Sequence, residues 1–381
     1  MKTENTSIVS SSAINTNLSI QADIQIKNDK FRIFFRSDQE ALSEKFESFL
    51  ASAILPVMSV GRGKLIVEGE VSQLLISRLS TIQNTYSLWE PRFHPIEIEI
   101  HQPVASTTLN KNRVGTFFSG GVDSFYTLLK HQDEITDLVF VHGLDIQLEH
   151  QEYRKKISKS VQEIAAHFGK NLIEIETNIR ELFDSYISYP KWGWSIALAA
   201  IGHLLRPNIN HIYIPIGHTY VDLFPTGSRL LPLWSAETFE FINDGYEASR
   251  VEKVSLISEH DIVLQNLRIC HRKPDNALNC GRCEKCIRTM INLEVSDALN
   301  CCSVFESELD IKRVLKINAI GESKRSFIKR NLNALEKIKG DEDLIVALRS
   351  ILKRPRWLQI TRKGLRKLQR IISNRINKFK Q

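Results

Sequence analysis

Short apolar runs alternate with longer amphipathic segments over residues 112–300. The apolar runs predict buried strands and are VGTFF, LVFVHG, LIEIETN, HIYIPIG and KVSLIS. Apolar residues spaced as on one helix face predict helices in SFYTLLKHQD, HQEYRKKISKSVQEIAAHFG and WGWSIALAAIGHLL. Alternation of this kind is typical of βαβ units. It therefore predicts an α/β domain with a parallel, five-stranded-type sheet that has helices on both faces.

The preceding region has a different pattern. Residues 1–17 are polar and are predicted to be disordered. Residues 18–105 predict an N-terminal α+β accessory domain, because SIQADIQIKN, KFRIFFRS and HPIEIEIHQ alternate with a period of two. SDQEALSEKFESFLASAIL predicts a helix that begins at Ser37 or Asp38, and VSQLLISRLSTIQ predicts a second helix.

Residues 311–381 predict a basic helical C-terminal region, since IKRNLNALEKIKG and KGLRKLQRIISNRINKFK have helical apolar spacing. This region contains 21 Lys and Arg against 5 Asp and Glu, a net charge of +16. The rest of the chain contains 30 against 39, a net charge of −9, so the basic character belongs to the tail. Such a tail fits RNA or another anionic partner, and it fits equally a solvated helical face.

No apolar stretch is long enough to cross a bilayer, and the first residues lack the apolar core of a secretion signal. We therefore expect a protein that is not transmembrane and is cytoplasmic. Whether it forms a homodimer is left open.

All six cysteines fall between Cys270 and Cys302. Cys270, Cys280, Cys283 and Cys286 have the spacing C-x9-C-x2-C-x2-C, which is typical of a tetrahedral thiolate site for structural Zn²⁺. An iron–sulfur cluster is the alternative, because C-x2-C-x2-C also occurs in cluster proteins. Cys301 and Cys302 are expected to be core or spare thiols.

The six residues SGGVDS, Ser119 to Ser124, stand between a predicted strand and a predicted helix. Glycines there permit a tight turn whose backbone N–H groups bind phosphate, and the two serines add hydroxyl donors. Asp123 could hold Mg²⁺ beside the phosphates or orient the loop. The alternative is an ordinary strand-to-helix connection with Ser and Asp as helix caps. The chain has neither G-x-x-x-x-G-K-[ST] nor a G-x-G-x-x-G motif after a strand.

SGGVDS resembles the S-G-G-x-D-S signature of the PP-loop ATP pyrophosphatases, which have a HUP-like (adenine nucleotide alpha hydrolase) fold. The resemblance implies that ATP is split between its α and β phosphates and that AMP is passed to an acceptor oxygen. It assigns phosphate binding to Ser119, Gly120, Gly121, Val122, Asp123 and Ser124, with Ser119, Asp123 and Ser124 as catalytic residues. It also implies that His142, Gly143 and Asp145, at the next strand end, lie near the adenosine.

The loop and the downstream cysteines together are similar to the 7-cyano-7-deazaguanine synthase family. That similarity implies a C–N bond-forming ligase with ATP, Mg²⁺ and one structural Zn²⁺. It also implies a small-molecule carboxylate or amide acceptor and an ammonia or amine donor. The long connection from Gly217 to Gly245 is the expected substrate loop and matches the family only loosely at ETFEF, so the acceptor is expected to differ. Two alternatives are a PP-loop enzyme that modifies tRNA by thiolation and a catalytically inactive ATP-binding adaptor.

Overall fold

The computed structural model describes residues 5–11, 18–105, 112–222, 225–270, 277–305 and 308–355. The chain divides into two compact units, Met1–Glu247 and Ala248–Gln381. The strands, all in the first unit, are β1 (Asn5–Ser11), β2 (Ser19–Ile26), β3 (Asp29–Ser37), β4 (Gly63–Ser72), β5 (Glu97–Val104), β6 (Val114–Phe117), β7 (Asp137–His142), β8 (Asn171–Thr177), β9 (His211–Pro215) and β10 (Glu240–Asp244).

The described residues of the first unit also form six α-helices and two short helical segments. The helices are α1 (Glu47–Ser59), α2 (Gln73–Trp89), α3 (Val122–Lys130), α4 (Gln151–His167), α5 (Ile179–Tyr186) and α6 (Trp194–Leu205). A π-helical turn covers Tyr189–Gly193, and a 3-10 segment covers Gly227–Trp234.

The described strands form one ten-stranded sheet in the order β10-β9-β6-β7-β8-β3-β2-β1-β4-β5. Its first five members are all mutually parallel, as the alternating pattern predicts. The chain runs outward from β6 through β7 to β8, then returns to the other side of β6 for β9 and β10. The strand order therefore reverses between β6 and β9, the position at which open α/β sheets bind ligands.

Four of the other five strands come from the region that was predicted to be an accessory domain, and β1 comes from the residues before it. Strand β3 pairs antiparallel with β8 at its last three residues, so residues 18–105 share one sheet with the predicted parallel domain. The predicted five-stranded sheet is thus half of a larger one. The sequence pattern did not show this because each half carries its own complete set of strands and helices.

Both faces of the parallel strands are covered. All four residues of β6 are buried. On β7, Val139 packs into a core with α1, α5 and α6 residues, while Leu138 and Phe140, on the opposite face, are also buried. Helices α3 and α4 contact the parallel strands as well.

Three predictions about elements differ from the structure. Residues 5–11, within the predicted disordered start, form β1, which pairs with β2 and β4 and buries Ser7 and Val9. The first helix begins at Glu47 rather than at Ser37 or Asp38, because Ser37 still belongs to β3 and pairs with β8. The predicted strand KVSLIS belongs to a helix, and the fifth parallel strand is β10.

The second unit is helical in its described part. Its helices are α7 (Arg250–Ile257), α8 (Asp261–Asn266), α9 (Glu284–Val295), α10 (Ile311–Val314), α11 (Glu322–Ile338) and α12 (Glu342–Lys353). Residues of α9, α11 and α12 share one apolar core. The segment KGLRKLQRIISNRINKFK, predicted as a basic helix, lies outside the described residues.

Candidate functional site

The SGGVDS loop lies at the carboxyl end of β6, at the reversal of strand order. Gly120 has φ +72°, a left-handed conformation that glycine adopts without strain, and helix α3 begins at Val122. Asp123 therefore lies in the first turn of α3, where the positive end of the helix dipole stabilises negative charge.

The two serines of the loop have different environments. Ser124 is buried, and its Oγ accepts a 3.0 Å hydrogen bond from the Gly121 N–H and donates one of 3.0 Å to the Gly121 carbonyl. Ser119 is exposed, and its Oγ lies 3.3 Å from the Gly121 nitrogen. The sequence predicted both hydroxyls as donors to phosphate. In the structure the Ser124 hydroxyl forms hydrogen bonds within the loop, and the Ser119 hydroxyl lies on the surface.

Asp123 lies against the backbone that leaves β9. A Cβ atom placed on Gly217 would lie 3.2 Å from Asp123 Oδ2. This approach brings together the loops after β6 and β9, the two strands that flank the reversal of order. Because residue 217 is a glycine, no side chain at that position crowds the Asp123 carboxylate.

A network of ionic hydrogen bonds connects α3 to the end of β10. Asp244, 6% exposed, accepts from Thr127 Oγ1 at 2.7 Å, from Lys130 Nζ at 2.7 Å and pairs with His131 Nε2 at 3.0 Å. Burial opposes the charge of Asp244, but hydrogen bonds from Lys130, His131 and Thr127 hold the pKa of its carboxyl below its ordinary value. The network fixes the helix whose first turn carries Asp123.

His142, at the next strand end, is held by side chains of β8 and α4. His142 is 3% exposed, and its Nε2 lies 3.0 Å from Glu174 Oε1 and 3.3 Å from Ser158 Oγ. Ser158 Oγ also donates to Glu174 Oε1 at 2.5 Å. Although burial opposes it, the hydrogen bonds from His142 and Ser158 lower the pKa of Glu174. The ring thus faces α4 and β8.

Gly143 and Asp145 complete the segment after β7. Gly143 has φ +92°, and a Cβ there would lie 1.7 Å from the Thr177 carbonyl oxygen, so no other residue fits this turn. Asp145 is exposed. Close packing against Thr177 therefore explains the glycine at residue 143 without a bound nucleotide. Asp145, in contrast, is accessible to a ligand.

Sequence reasoning missed a polar group at the end of β10. Asn243 Nδ2 donates to the Ser228 carbonyl at 2.8 Å and to Tyr246 Oη at 3.2 Å, while its Oδ1 is buried without a partner. Arg229 Nε is also buried without a partner, and its guanidinium lies 5.9 Å from the centre of the Tyr246 ring. Arg229 lies in the connection from Gly217 to Gly245, which the sequence already indicated as the substrate loop. Asn243 carries no such signal because only the fold shows that EFIND is a strand.

The four predicted metal ligands converge in the second unit. The Sγ atoms of Cys270, Cys280, Cys283 and Cys286 all lie within 4.8 Å of one another. The closest pairs are 3.4 Å for Cys283 and Cys286, 3.8 Å for Cys270 and Cys283, and 3.8 Å for Cys280 and Cys286. Cys301 and Cys302 lie outside this cluster; Cys301 is exposed and Cys302 is buried, as core or spare thiols are.

The spacing of the thiols fits a single metal ion. A Zn–S bond of about 2.3 Å in a tetrahedron places thiolates about 3.8 Å apart. An iron–sulfur cluster needs a wider site, because its thiolates are divided among two or more iron atoms. The hydrogen bond from the Cys286 thiol lowers the pKa of Cys283, and the same contact raises the pKa of Cys286.

The buried side-chain amide of Asn279 connects the segment that ends at Cys270 to the segment that carries the other three cysteines. Asn279 Oδ1 accepts from the N–H groups of Ile269 at 2.9 Å and Cys270 at 3.1 Å, and its Nδ2 donates to the Leu267 carbonyl at 2.7 Å. Asn279 is 3% exposed. The residue precedes Cys280, and its side chain determines where Cys270 lies relative to the other three ligands. Sequence reasoning had passed over it.

No family model, curated protein or solved structure matches the chain. None of the helices in the described part of the chain combines the length and the apolar character that a membrane-spanning segment requires.

Proposed function

We propose that this chain is an ATP-dependent ligase or amidating enzyme that forms AMP and pyrophosphate. The observation that carries the proposal is the SGGVDS loop at the reversal of strand order, with Asp123 in the first turn of α3 against Gly217. A glycine-rich turn before a helix N-terminus binds phosphate through backbone N–H groups, and the reversal is where such sheets bind ligands. The PP-loop signature adds the specific expectation of ATP.

The proposed chemistry has two steps. The acceptor oxygen attacks the α-phosphorus, the bond between the α and β phosphates breaks, and pyrophosphate leaves. Ammonia or an amine then attacks the adenylated carbon and AMP leaves with the oxygen. Mg²⁺, when bound, neutralises phosphate charge.

The residues of the loop have distinct proposed roles in these steps. Its backbone N–H groups and the Ser119 hydroxyl hold the departing pyrophosphate, and the Asp123 carboxylate holds the metal. Ser124 keeps the loop in shape through both of its bonds to Gly121. Catalysis would then depend on preorganised donors and positioning rather than on a covalent intermediate.

We infer that the acceptor binds on the side of the loop toward β9 and β10. Arg229 Nε and Asn243 Oδ1 are a buried donor and a buried acceptor without partners, and such groups gain most from a matching ligand. Arg229 suits a carboxylate and Asn243 suits an N–H or O–H group. This supports a carboxylate or amide acceptor.

We further propose that the four cysteines hold one structural Zn²⁺, because their separations fit one tetrahedral ion. Metal binding would fix the segment from Cys280 to Cys286 at the start of α9. A closed set of four protein ligands leaves no position for substrate, so the metal is assigned to folding.

Binding and turnover of ATP test the loop assignment. We expect Mg²⁺–ATP to bind the wild type and to bind at least tenfold more weakly to Asp123→Ala. Asp133→Ala removes an exposed carboxylate and is the matched control. A screen of small carboxylates and amides with ammonia, read as pyrophosphate release, then seeks the acceptor. Equal ATP binding by wild type and Asp123→Ala would refute the assignment, and tight binding without release by any acceptor would favour the adaptor alternative.

A further inference from the structure

A cavity of about 710 Å³ lies at the end of β9 and β10 that is opposite the SGGVDS loop. Its lining comes from α2, from the end of the 3-10 segment and from the first residues of the two strands, His211 and Glu240. The SGGVDS loop instead follows the carboxyl end of β6, which runs parallel to β9. The size is within the range of about 300–1,000 Å³ that is common for small-ligand sites.

Arg78, on α2, is the arginine of this lining. Its Nη1 donates to the carbonyl oxygens of Pro232 at 3.4 Å and Ser235 at 3.3 Å, which orients the guanidinium against the end of the 3-10 segment. Its Nε and Nη2 have no partner among the described residues. Both nitrogens are accessible, unlike the buried Nε of Arg229. Arg78 therefore offers the cavity an edge of its guanidinium with free N–H groups.

Two other arginines of the chain show what this edge of a guanidinium binds. Arg32 donates from Nε and Nη2 to the two carboxylate oxygens of Asp23, at 2.8 and 2.9 Å. Arg113 donates from the same pair of nitrogens to the two oxygens of Asp137, at 3.0 and 2.6 Å. The two nitrogens form a planar fork whose spacing matches that of a carboxylate. The free fork of Arg78 therefore fits a carboxylate that none of the described residues supplies.

The carboxylates of the lining limit the charge of the ligand. Glu237 accepts from Ser72 Oγ at 2.7 Å and from the Leu74 N–H at 3.0 Å, so it is already engaged at the start of α2. Glu240 is exposed and has no ion-pair partner among the described residues. Both would repel a second anionic group on the ligand. A ligand with a single negative charge therefore fits this lining better than a polyanion.

The rest of the ligand faces an apolar wall. Leu74, Leu233 and Phe239 line the same cavity as Arg78. Contact between these side chains and an apolar chain removes hydrocarbon surface from water, and the gain grows with the area covered. The ligand that uses both features has a carboxylate at one end and an apolar chain at the other.

We propose that this cavity is a binding site for a small monocarboxylate with an apolar chain. The carboxylate binds Nε and Nη2 of Arg78, and the chain packs against Leu74, Leu233 and Phe239. The proposal does not depend on ATP binding by the SGGVDS loop, which lies at the other end of the strands.

Calorimetric titration of the full-length protein with hexanoate, acetate, hexylamine and inorganic phosphate tests the class of ligand. We expect saturable binding of hexanoate, roughly tenfold tighter than that of acetate, because acetate lacks the chain that contacts the apolar wall. Hexylamine has the chain with the opposite charge, and phosphate has the charge without the chain, so both should bind more weakly than hexanoate. The proposal is overturned by hexanoate that does not saturate, or by hexylamine or phosphate that binds as tightly.

Variants locate the binding in the cavity. Arg78→Gln should weaken hexanoate binding roughly tenfold or more, and Arg78→Lys, which keeps the charge but loses the fork, should weaken it about fivefold. Leu233→Ala should reduce the preference for hexanoate over acetate, because it shortens the apolar wall. Arg62→Gln removes an exposed arginine outside the lining and is the matched control.

Arg229→Gln distinguishes the cavity from the proposed acceptor site. It should leave the affinity for hexanoate unchanged, because Arg229 does not line this cavity. Urea unfolding of each variant shows whether it is folded under the conditions of the titration. Unchanged affinity in folded Arg78→Gln or Arg78→Lys, or a loss of binding in Arg229→Gln alone, would overturn the proposal.

Discussion

Gly217 and Asp123 approach so closely that a methyl group on Gly217 would lie 3.2 Å from Asp123 Oδ2. The two residues come from the loops after β9 and β6, which meet where the strand order reverses. A contact of that length is tighter than most Cβ contacts, so any larger residue at 217 must displace the carboxylate by a few tenths of an ångström. The backbone after β9 therefore limits where the carboxylate of Asp123, the proposed metal ligand, can lie.

Gly217→Ala should reduce ATP-dependent pyrophosphate release about tenfold or more, because small displacements of a catalytic group are costly. Its effect on unfolding by urea should be small, about 1 kcal/mol or less. The informative control is a double-mutant cycle. In the Asp123→Ala background, Gly217→Ala should have no further effect on activity, and additive losses would show that Gly217 acts on something other than Asp123.

Asp244→Asn should lower the free energy of unfolding by about 2 kcal/mol, because it removes the buried anion that Lys130 and His131 contact, while Lys130 keeps Glu247 as a partner. The folded-state pKa of Asp244 is lowered from its ordinary value of 3.8. Its contribution is therefore fully present above that value and is lost as the pH falls through the lower folded-state pKa.

Urea unfolding of wild type and Asp244→Asn across the acid range measures this contribution. The difference between the two proteins should shrink as the pH falls below about 4. Asp133→Asn, at an exposed position, should track the wild type throughout. A difference that stays constant with pH would show that the Asp244 charge is not what stabilises the end of β10.

Cys283→Ser should reduce the metal content from about one zinc per chain to well below one, because it removes one of the four ligands. The lost Sγ atom is the one that lies close to those of both Cys286 and Cys270. Elemental analysis of anaerobically purified protein measures zinc and iron together. Cys301→Ser replaces an exposed thiol outside the cluster and should leave the zinc content unchanged. Iron with labile sulfide in the wild type would instead identify an iron–sulfur protein.

Asn279→Ala should weaken metal retention and destabilise the second unit by about 2 kcal/mol, because the N–H groups of Ile269 and Cys270 lose their buried acceptor. Asn279→Asp is the paired variant, since it keeps both accepted hydrogen bonds but replaces the donor to Leu267 with a carboxylate oxygen that faces the same carbonyl. We expect Asn279→Asp to retain more zinc than Asn279→Ala in competition with a chelator. Equal retention would mean that the amide does not position Cys270.

The parallel half of the sheet was predictable because β6, β7 and β9 are short apolar runs that are buried on both faces, and β8 alternates buried and half-buried positions. The cysteine cluster was predictable because its ligands lie close together in sequence. Neither depends on contacts between distant parts of the chain.

The errors have local physical causes. The run KVSLIS is too short for its periodicity to separate strand from helix. The deciding signal stood just before it, since Ser249 and Glu252 form a reciprocal capping box at the start of α7. That signal was in the sequence and was overlooked.

Other features were not accessible from local sequence. β1 is polar at most positions, and it is ordered because it pairs between β2 and β4. The pairing of β3 with β8 joins segments that are far apart along the chain. The partners of His142 on α4 and β8 likewise depend on tertiary contacts.

The products formed from ATP test the central claim most directly. With an acceptor from the screen and ammonia, ³¹P NMR of the reaction should show AMP and pyrophosphate accumulating in equal amounts in the wild type and neither in Asp123→Ala. Formation of ADP and phosphate, or unchanged turnover in Asp123→Ala, would contradict an adenylating function for the SGGVDS loop.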